Sequence, residues 1–298
     1  MVAQDLPSIM TSAVSPLSRV TAVIVNYNSG RWLARCIENL RGRGGTSPQV
    51  IVIDNASDDG SIDVLPAMPG ITVRRAHRNL GFGRGVNQAL RTVRTEYLLI
   101  INPDCLLVPA ALARLVEELD QHSDAALVSG RVFDMRGVEQ RGSRRRLPTR
   151  RHVLSEILPF SRINGIDLTH EPSPEEPSDV EAVSGACMLV RTAALAQVGG
   201  FDPGFHMHFE DLDMMARLRE AGWRIRLVPS VFVSHAGGVS SRRRPIAVMW
   251  AKHKSLWRYL NKHSGDDEGW TWFSRMLWWS FIHLHAVLMT PVCLLARR

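Results

Sequence analysis

Residues 97–104, Tyr97-Leu98-Leu99-Ile100-Ile101-Asn102-Pro103-Asp104, decide how this chain reads. Five apolar residues in a row are the pattern of a strand buried on both faces, as in a sheet covered by helices on either side. Proline cannot extend a central ladder, so the strand is expected to stop at Asn102 and to throw Asp104 past its carboxyl end. In open α/β sheets that end faces the ligand crevice. A carboxylate placed there suits a hard cation beside a diphosphate, and the competing reading of Asp104 is a plain turn residue or helix cap.

Working outward, residues 20–25 (Val-Thr-Ala-Val-Ile-Val), 50–53 and 71–73 repeat the β-branched, fully buried pattern. A helix with the apolar stripe Leu33, Ile37 and Leu40 separates the first two, with Asn28 or Ser29 placed to cap it and Gly42, Gly44 and Gly45 to end it. The loop 79–85 leads into a helix through Leu90. Pro109 opens another, running to about Gln121, before a strand at 125–129. This alternation predicts an α/β fold with a mostly parallel sheet flanked by helices. Residues 137–178, rich in arginine and then proline, break the rhythm and read as an irregular excursion. Regular structure resumes at 180–190 and continues to His235.

The 298 residues are 45% hydrophobic and 22% charged, ample for one large core. A net charge of +7 points to an anionic partner. The excess clusters at Arg141, Arg144, Arg145, Arg146, Arg150 and Arg151, and again at Arg242, Arg243 and Arg244. Cys36, Cys105, Cys187 and Cys293 match no metal or redox spacing, and the first three read as small core residues in a reducing cytoplasm. Residues 1–19 carry no secretory pattern and read as a loose tail. Beyond residue 244 the chain turns rich in Trp, Lys and apolar residues. Trp270, Trp272, Trp278 and Trp279 gather at one end of an apolar stretch, and Arg297 and Arg298 close it, as an interfacial segment requires. The expected layout is therefore a tail (1–19), a catalytic domain (20–243) and a helical membrane-associating region (244–298).

Four polar strand ends should share one crevice edge: Asn26 to Asn28, Asp54-Asn55, the Asn79 loop, and Asn102-Pro103-Asp104. Asp54 could accept from a base imide N–H. Gly81-Phe82-Gly83-Arg84-Gly85 is no dinucleotide fingerprint, because it follows the third strand and lacks the acid expected about 20 residues on. Glu210 and Asp211 fall in the first turn of a helix, where the dipole favours ionised carboxylates, and an Asp213–Arg217 pair should lie on that helix's surface. Asp211 is the candidate general base. His235 ends a strand near the proposed metal position.

Taken in order, VIVNYNSG (23–30), VIDNASDDGS (52–61), NLGFGRGVNQAL (79–90), INPD (101–104), SGACMLVRTAAL (184–195) and GGFDPGFHMHFEDLDMMARLREAGWRI (199–225) resemble the family 2 inverting glycosyltransferases of the GT-A fold. Within that family the likeness is to the bacterial rhamnosyltransferase-like branch acting on cell-envelope polysaccharides. The resemblance implies a nucleotide-diphosphate sugar donor, such as dTDP-rhamnose or a UDP-sugar, and a divalent cation, Mg2+ or Mn2+. It implies that Asp54 contacts the base, with Asp58 in the same loop and Asn26, Asn28, Asn55, Asn79, Gly81, Phe82 and Asn87 around the donor. Asn102-Pro103-Asp104 takes the place of the acidic DxD motif, His235 completes the metal site, and Asp211, paired with Glu210, is the catalytic base. Gly185, Ala186 and Trp223 would lie on the acceptor side. Asn102 replaces the first acid of DxD, so one carboxylate alone reaches the ion from that motif. A glycan or lipid-linked glycan acceptor at the cytoplasmic face of the bacterial inner membrane would account for the basic clusters and the Trp-rich end, with no nucleic-acid partner. The competing readings are a sugar-1-phosphate nucleotidyltransferase and a non-catalytic membrane adaptor of the same fold.

Overall fold

The computed structural model describes residues 15–42, 47–63, 65, 70–157, 165–239, 245–264 and 271–295. The expectations for Gly44, Gly45, Arg242 to Arg244, Trp270, Arg297, Arg298 and most of the N-terminal tail fall outside these residues.

A short 3-10 turn (Pro16–Arg19) leads into β1 (Val20–Asn26), α1 (Trp32–Arg41), β2 (Gln49–Asp54), β3 (Ile71–Arg75), α2 (Phe82–Leu90), β4 (Tyr97–Ile101) and the short β5 (Cys105–Leu106). Then come α3 (Pro109–Gln121), β6 (Ala125–Phe133), β7 (Arg144–Arg145), α4 (Arg150–Ile157), β8 (Ser178–Asp179), β9 (Ala182–Val183) and β10 (Cys187–Arg191). The chain continues through α5 (Thr192–Gln197), α6 (Glu210–Glu220), β11 (Arg224–His235), α7 (Pro245–His263) and α8 (Trp272–Leu295).

The main sheet runs β3-β2-β1-β4-β10-β6-β11-β5, with β8 added on β11. The β3-β2-β1-β4 half is parallel throughout, as is the β6–β11 pair. β10 is antiparallel to both β4 and β6, so the sheet is mixed rather than mostly parallel. The reason is connectivity. The segment between β6 and β10 starts and finishes at the same end of the sheet, and a chain that returns without a crossover must run antiparallel.

Alternation along β1 divides the core. Val20, Ala22 and Ile24 face α1 and α3, meeting Leu33, Ile37, Leu40, Leu112 and Leu115. Val23 and Val25 face the other way, into a cluster with Val86, Phe201, Leu212 and Met215. Each such buried aliphatic side chain contributes roughly 1.5–3 kcal/mol. Cys36, Cys105 and Cys187 are fully buried in this packing, as expected. Neither Asn28 nor Ser29 caps α1. The helix opens at Trp32 without a side-chain cap, because the Ser29 hydroxyl donates to Asn26 Oδ1 and the Asn28 amide is engaged with Asp58.

The Asp213–Arg217 pair forms, but inside the protein. Asp213 is completely buried, its Oδ2 accepting from Arg217 Nε at 2.9 Å and its Oδ1 meeting Lys262 Nζ at 2.7 Å and His263 Nε2 at 2.8 Å. Sequence periodicity on α6 alone could not anticipate this, because the covering cations come from α7. Asp202 extends the clasp, bonded to Arg258 and Lys262. Burial works to raise its pKa, yet Lys262, the Gly204 amide and Arg258 hold it far below the usual carboxylate range. α7 is thereby bolted to the loop before α6, and the Ser255 hydroxyl also donates to the Met207 carbonyl at 2.8 Å.

α8 packs on α7 through Ile282, Ala286 and a His253–His285 contact of 2.8 Å, and leaves Trp272, Phe273, Leu277, Leu284 and Leu288 exposed. Removing one member of a fully buried ion cluster leaves the others uncompensated. Asp213→Ala is therefore expected to lower stability by about 3–5 kcal/mol in urea unfolding. A loss below about 1 kcal/mol would show that the clasp does not hold α7 to α6.

Candidate active site

The carboxyl ends of β1, β2 and β4 open into a cavity of about 630 Å³. Tyr27, Asn55, Asn79, Gly81 and Phe82 line one side, and Asn102, Pro103, Asp104 and His235 the floor. Arg141, Arg145, Gly185, Ala186, Glu210, Asp211 and Lys252 complete the wall.

The floor follows from the break at Pro103. The Asn102 amide donates to the Ala186 carbonyl at 2.8 Å, and the Cys105 amide turns back to the Asn102 carbonyl at 3.1 Å. The chain then crosses to the far edge of the sheet, where β5 pairs antiparallel with the end of β11 in the register His235↔Cys105. That register brings His235 Nε2 to 3.2 Å from Asp104 Oδ1. Gln140 sets the ring. Its Nε2 donates to the His235 carbonyl at 2.7 Å, so its Oε1 faces His235 Nδ1 at 2.8 Å and can only accept. Nδ1 therefore carries a proton, and Nε2 is the ring nitrogen turned to Asp104, the orientation a metal-binding imidazole needs.

Asp104, Cys105 and His235 have ligand atoms within 4.8 Å of one another. Burial, chiefly, pushes the Cys105 thiol well above its ordinary pKa, and its Sγ is turned to the Ala186 carbonyl. It stays protonated, so the usable donors are the Asp104 carboxylate and the His235 imidazole, with the Asn102 amide 3.5 Å from Nε2 beside them. One carboxylate and one imidazole form an oxygen–nitrogen pair that fits Mg2+ or Mn2+ completed by phosphate oxygens.

Asp211 stands in the first turn of α6. Its Oδ2 accepts from the Gly185 amide at 3.1 Å and is held by the Arg145 guanidinium, while Oδ1 accepts from the Leu212 amide at 2.9 Å. Burial would raise its pKa, but the Arg145 charge and hydrogen bond outweigh burial and keep Asp211 below the ordinary carboxylate value. Its neighbour behaves oppositely. Burial, and then the charge of Asp211, push Glu210 up to about 8, and Glu210 Oε2 has no partner among the described residues. Two adjacent acids are thus split into an ionised Asp211 and a neutral Glu210.

Several expected donor residues are not on the cavity wall. The Asn26 amide donates to Asp54 Oδ1, Ser57 Oγ and Ser61 Oγ at 2.9–3.0 Å, and Asp54 also takes the Ser57 hydroxyl at 2.6 Å. Asp54 is therefore occupied in tying β1 to β2. Its neighbour Asn55 reaches the cavity instead, with a buried Oδ1 that has no partner among the described residues. Asn28 and Asp58 bond to each other at 2.8 Å away from the cavity. Asn87 clamps both backbone groups of Phe201, and Trp223 donates to Gln197 on the outer surface, so neither is on the acceptor or donor wall. Gly83 and Gly85 serve packing: a Cβ would meet Phe201 at 2.9 Å and Val25 at 2.9 Å.

Sequence reading missed Arg145, Gln140 and Lys252. Only the period of two along β7, which sends Arg144 to Glu139 and Arg145 to the opposite side, could have singled Arg145 out of its cluster.

A crevice at the carboxyl ends of parallel strands, lined by Asp104, His235, Glu210 and Asp211, is the setting of a GT-A type sugar transferase. Solved structures agree on the fold. A mannosyltransferase from Pyrobaculum calidifontis, solved with GDP-Man and Mn2+, matches with TM-score 0.56 at 18% identity over 93% of this chain and 73% of its own. GalNAc-T7 with UDP, GalNAc and Mn2+ matches with TM-score 0.55 at 15% identity, over 72% and 42%. The chain belongs to glycosyl transferase family 2, whose model matches residues 21–199, more than half its length, while residues 176–260 match glycosyl transferase family 21. It is a glycosyltransferase of the rhamnosyltransferase-like kind. It is 29% identical over 274 residues to an N-acetylglucosaminyl-diphospho-decaprenol L-rhamnosyltransferase of Mycobacterium tuberculosis, covering 87% of each chain. To the rhamnosyltransferase WbbL of Escherichia coli K12 it is 30% identical, covering 81% of this chain and 92% of the relative.

Gly185 offers a direct check on the base. A Cβ there would lie 2.7 Å from Asp211 Oδ2 and 2.9 Å from its Cβ, so Gly185→Ala must push the carboxylate aside. Transfer should fall about 100-fold in kcat, since displacing a catalytic group by about 1 Å has that effect. Unchanged kcat in a normally folded variant would remove Asp211 from the base position.

Proposed function

We propose that the chain moves a sugar from a nucleotide-diphosphate donor to a hydroxyl of a lipid-linked glycan diphosphate, with inversion, at the cytoplasmic face of a bacterial inner membrane. The observation that carries this is that Asp211 and the Asp104–His235 pair line one cavity. The acceptor oxygen bonds to the anomeric carbon while the carbon–oxygen bond to the donor's diphosphate breaks. The acceptor's proton passes to Asp211, and the nucleoside diphosphate leaves. One displacement inverts the centre. A divalent cation, Mg2+ or Mn2+, held by Asp104 and His235 supplies charge stabilisation to the departing diphosphate. Asn55 Oδ1 is positioned to accept from the base, in place of Asp54. Rhamnose as the sugar, and a diphospho-polyprenol acceptor, rest on the likeness to the two rhamnosyltransferases.

Residues 20–243 would form the catalytic domain and 244–298 the membrane region, although α7 already lends Lys252 to the cavity. The stretch Trp272–Leu294 is long and apolar enough to cross a membrane, with 11% of its most apolar window buried. We read it as lying on the bilayer, its exposed tryptophans at the interface.

Asp211→Asn keeps the shape of the carboxylate and removes its basicity, so transfer should drop at least ~100-fold while the nucleotide sugar still stabilises the protein thermally. Retained turnover would refute the base assignment. A chain lacking residues 270–298 should move from the membrane pellet to the soluble fraction. Continued pelleting would count against α8 as the anchor.

A further inference from the structure

Arg145 blocks the group that has to act. Its Nη2 sits on Asp211 Oδ2 and on the Val183 carbonyl, and with the Gly185 amide it fills both accepting positions of Oδ2, while Oδ1 takes the Leu212 amide. A hydroxyl cannot give its proton to Oδ2 while the guanidinium and the Gly185 amide hold that oxygen. The contact is also incomplete from the arginine's side: its Nε is buried with no partner among the described residues. A planar guanidinium with an unused donor matches two oxygens of a phosphate better than one oxygen of a carboxylate.

The surroundings favour an anion at this place. Arg141 and Lys252 border the same cavity, as do His206 and His208. Glu210, pushed up to about 8, is neutral and does not repel negative charge. Arg145 stands on Asp211, the residue that would meet the acceptor hydroxyl, whereas His235 stands on Asp104, so an anion drawn to Arg145 belongs beside the acceptor.

We infer that Arg145 binds the diphosphate of the acceptor and, in its absence, masks Asp211, so that docking of the acceptor itself frees the base. The inference rests on the transfer reading above. A diphosphate carries more negative charge than one carboxylate and draws the guanidinium away, and in the acceptor it stands one sugar ring from the attacking hydroxyl. Donor bound alone leaves the base covered, which protects it from hydrolysis by water.

The test uses the full chain and Arg145→Ala, with Arg145→Lys keeping the charge but not the planar fork. Calorimetric titration with a short prenyl diphosphate should show at least about tenfold weaker binding for Arg145→Ala and an intermediate loss for Arg145→Lys, while Mn2+-dependent binding of a nucleoside diphosphate stays within about twofold. The reverse pattern would make Arg145 a donor-diphosphate residue and overturn the inference, as would equal prenyl diphosphate binding by all three proteins. In turnover, Arg145→Ala should lose at least about tenfold in kcat/KM on a prenyl-diphosphate-linked sugar but gain on the same sugar as a neutral alkyl glycoside, on which the wild-type base stays masked. Equal losses on both acceptors would mean a merely structural arginine. If the wild type transfers no sugar from any nucleotide donor, the function proposed above fails, and the prenyl diphosphate titration still decides for or against Arg145.

Discussion

Pro103 has no amide hydrogen to give to the ladder, and the whole floor of the cavity depends on that constraint. β4 sits between β1 and β10 at the centre of the sheet, and a residue able to donate there would let it run on. Instead the chain turns on the Asn102 carbonyl, crosses the sheet end and pairs with β11 at its edge. The crossing joins the two halves of the sheet and fixes the register that sets His235 beside Asp104. Gln140, from the first part of the excursion, then locks the ring by binding both its Nδ1 and its backbone carbonyl. A pair of candidate metal ligands is in this way assembled from residues 131 positions apart, with one turn, one register and one amide holding it.

The excess positive charge is organised by the same local rules. Along β7 the side chains of Arg144 and Arg145 alternate as a strand demands, and Arg146 follows it. Arg144 is buried against Glu139 and the carbonyls of Glu171 and Pro172, and Arg146 bonds to Glu171. Both hold the excursion closed. Arg145 alone turns toward Asp211. The electrostatics of the two acids of α6 then diverge, the one beside the guanidinium ionised and the other, buried and next to that negative charge, neutral.

Much of this was legible in the sequence where the cause is local. The apolar runs of β1, β2 and β4, Pro109 at the start of α3, and the strand-end positions of Asn102, Asp104 and His235 follow from nearest-neighbour chemistry and were expected. What escaped was set by distant partners. Asp54 looks like a free strand-end acid until Asn26 and Ser57 close on it. Asn87 looks like part of a donor loop but serves the backbone of Phe201, 114 residues on. Asp213 reads as a surface partner of Arg217 because nothing on α6 announces that Lys262 and His263 will cover it. The direction of β10 was likewise hidden, since it depends on where an irregular segment of more than fifty residues comes back to the sheet.

The central claim is that the Pro103 turn builds a cation site from Asp104 and His235 without Cys105. Electron paramagnetic resonance of Mn2+ bound to the full chain with a nucleoside diphosphate tests it most directly. The account predicts nitrogen hyperfine coupling from one imidazole that is lost in His235→Ala, together with loss of tight Mn2+ binding in Asp104→Ala and none in Cys105→Ser. Mn2+ binding that keeps its affinity and imidazole signal in His235→Ala, or that fails in Cys105→Ser while the fold is retained, would contradict it.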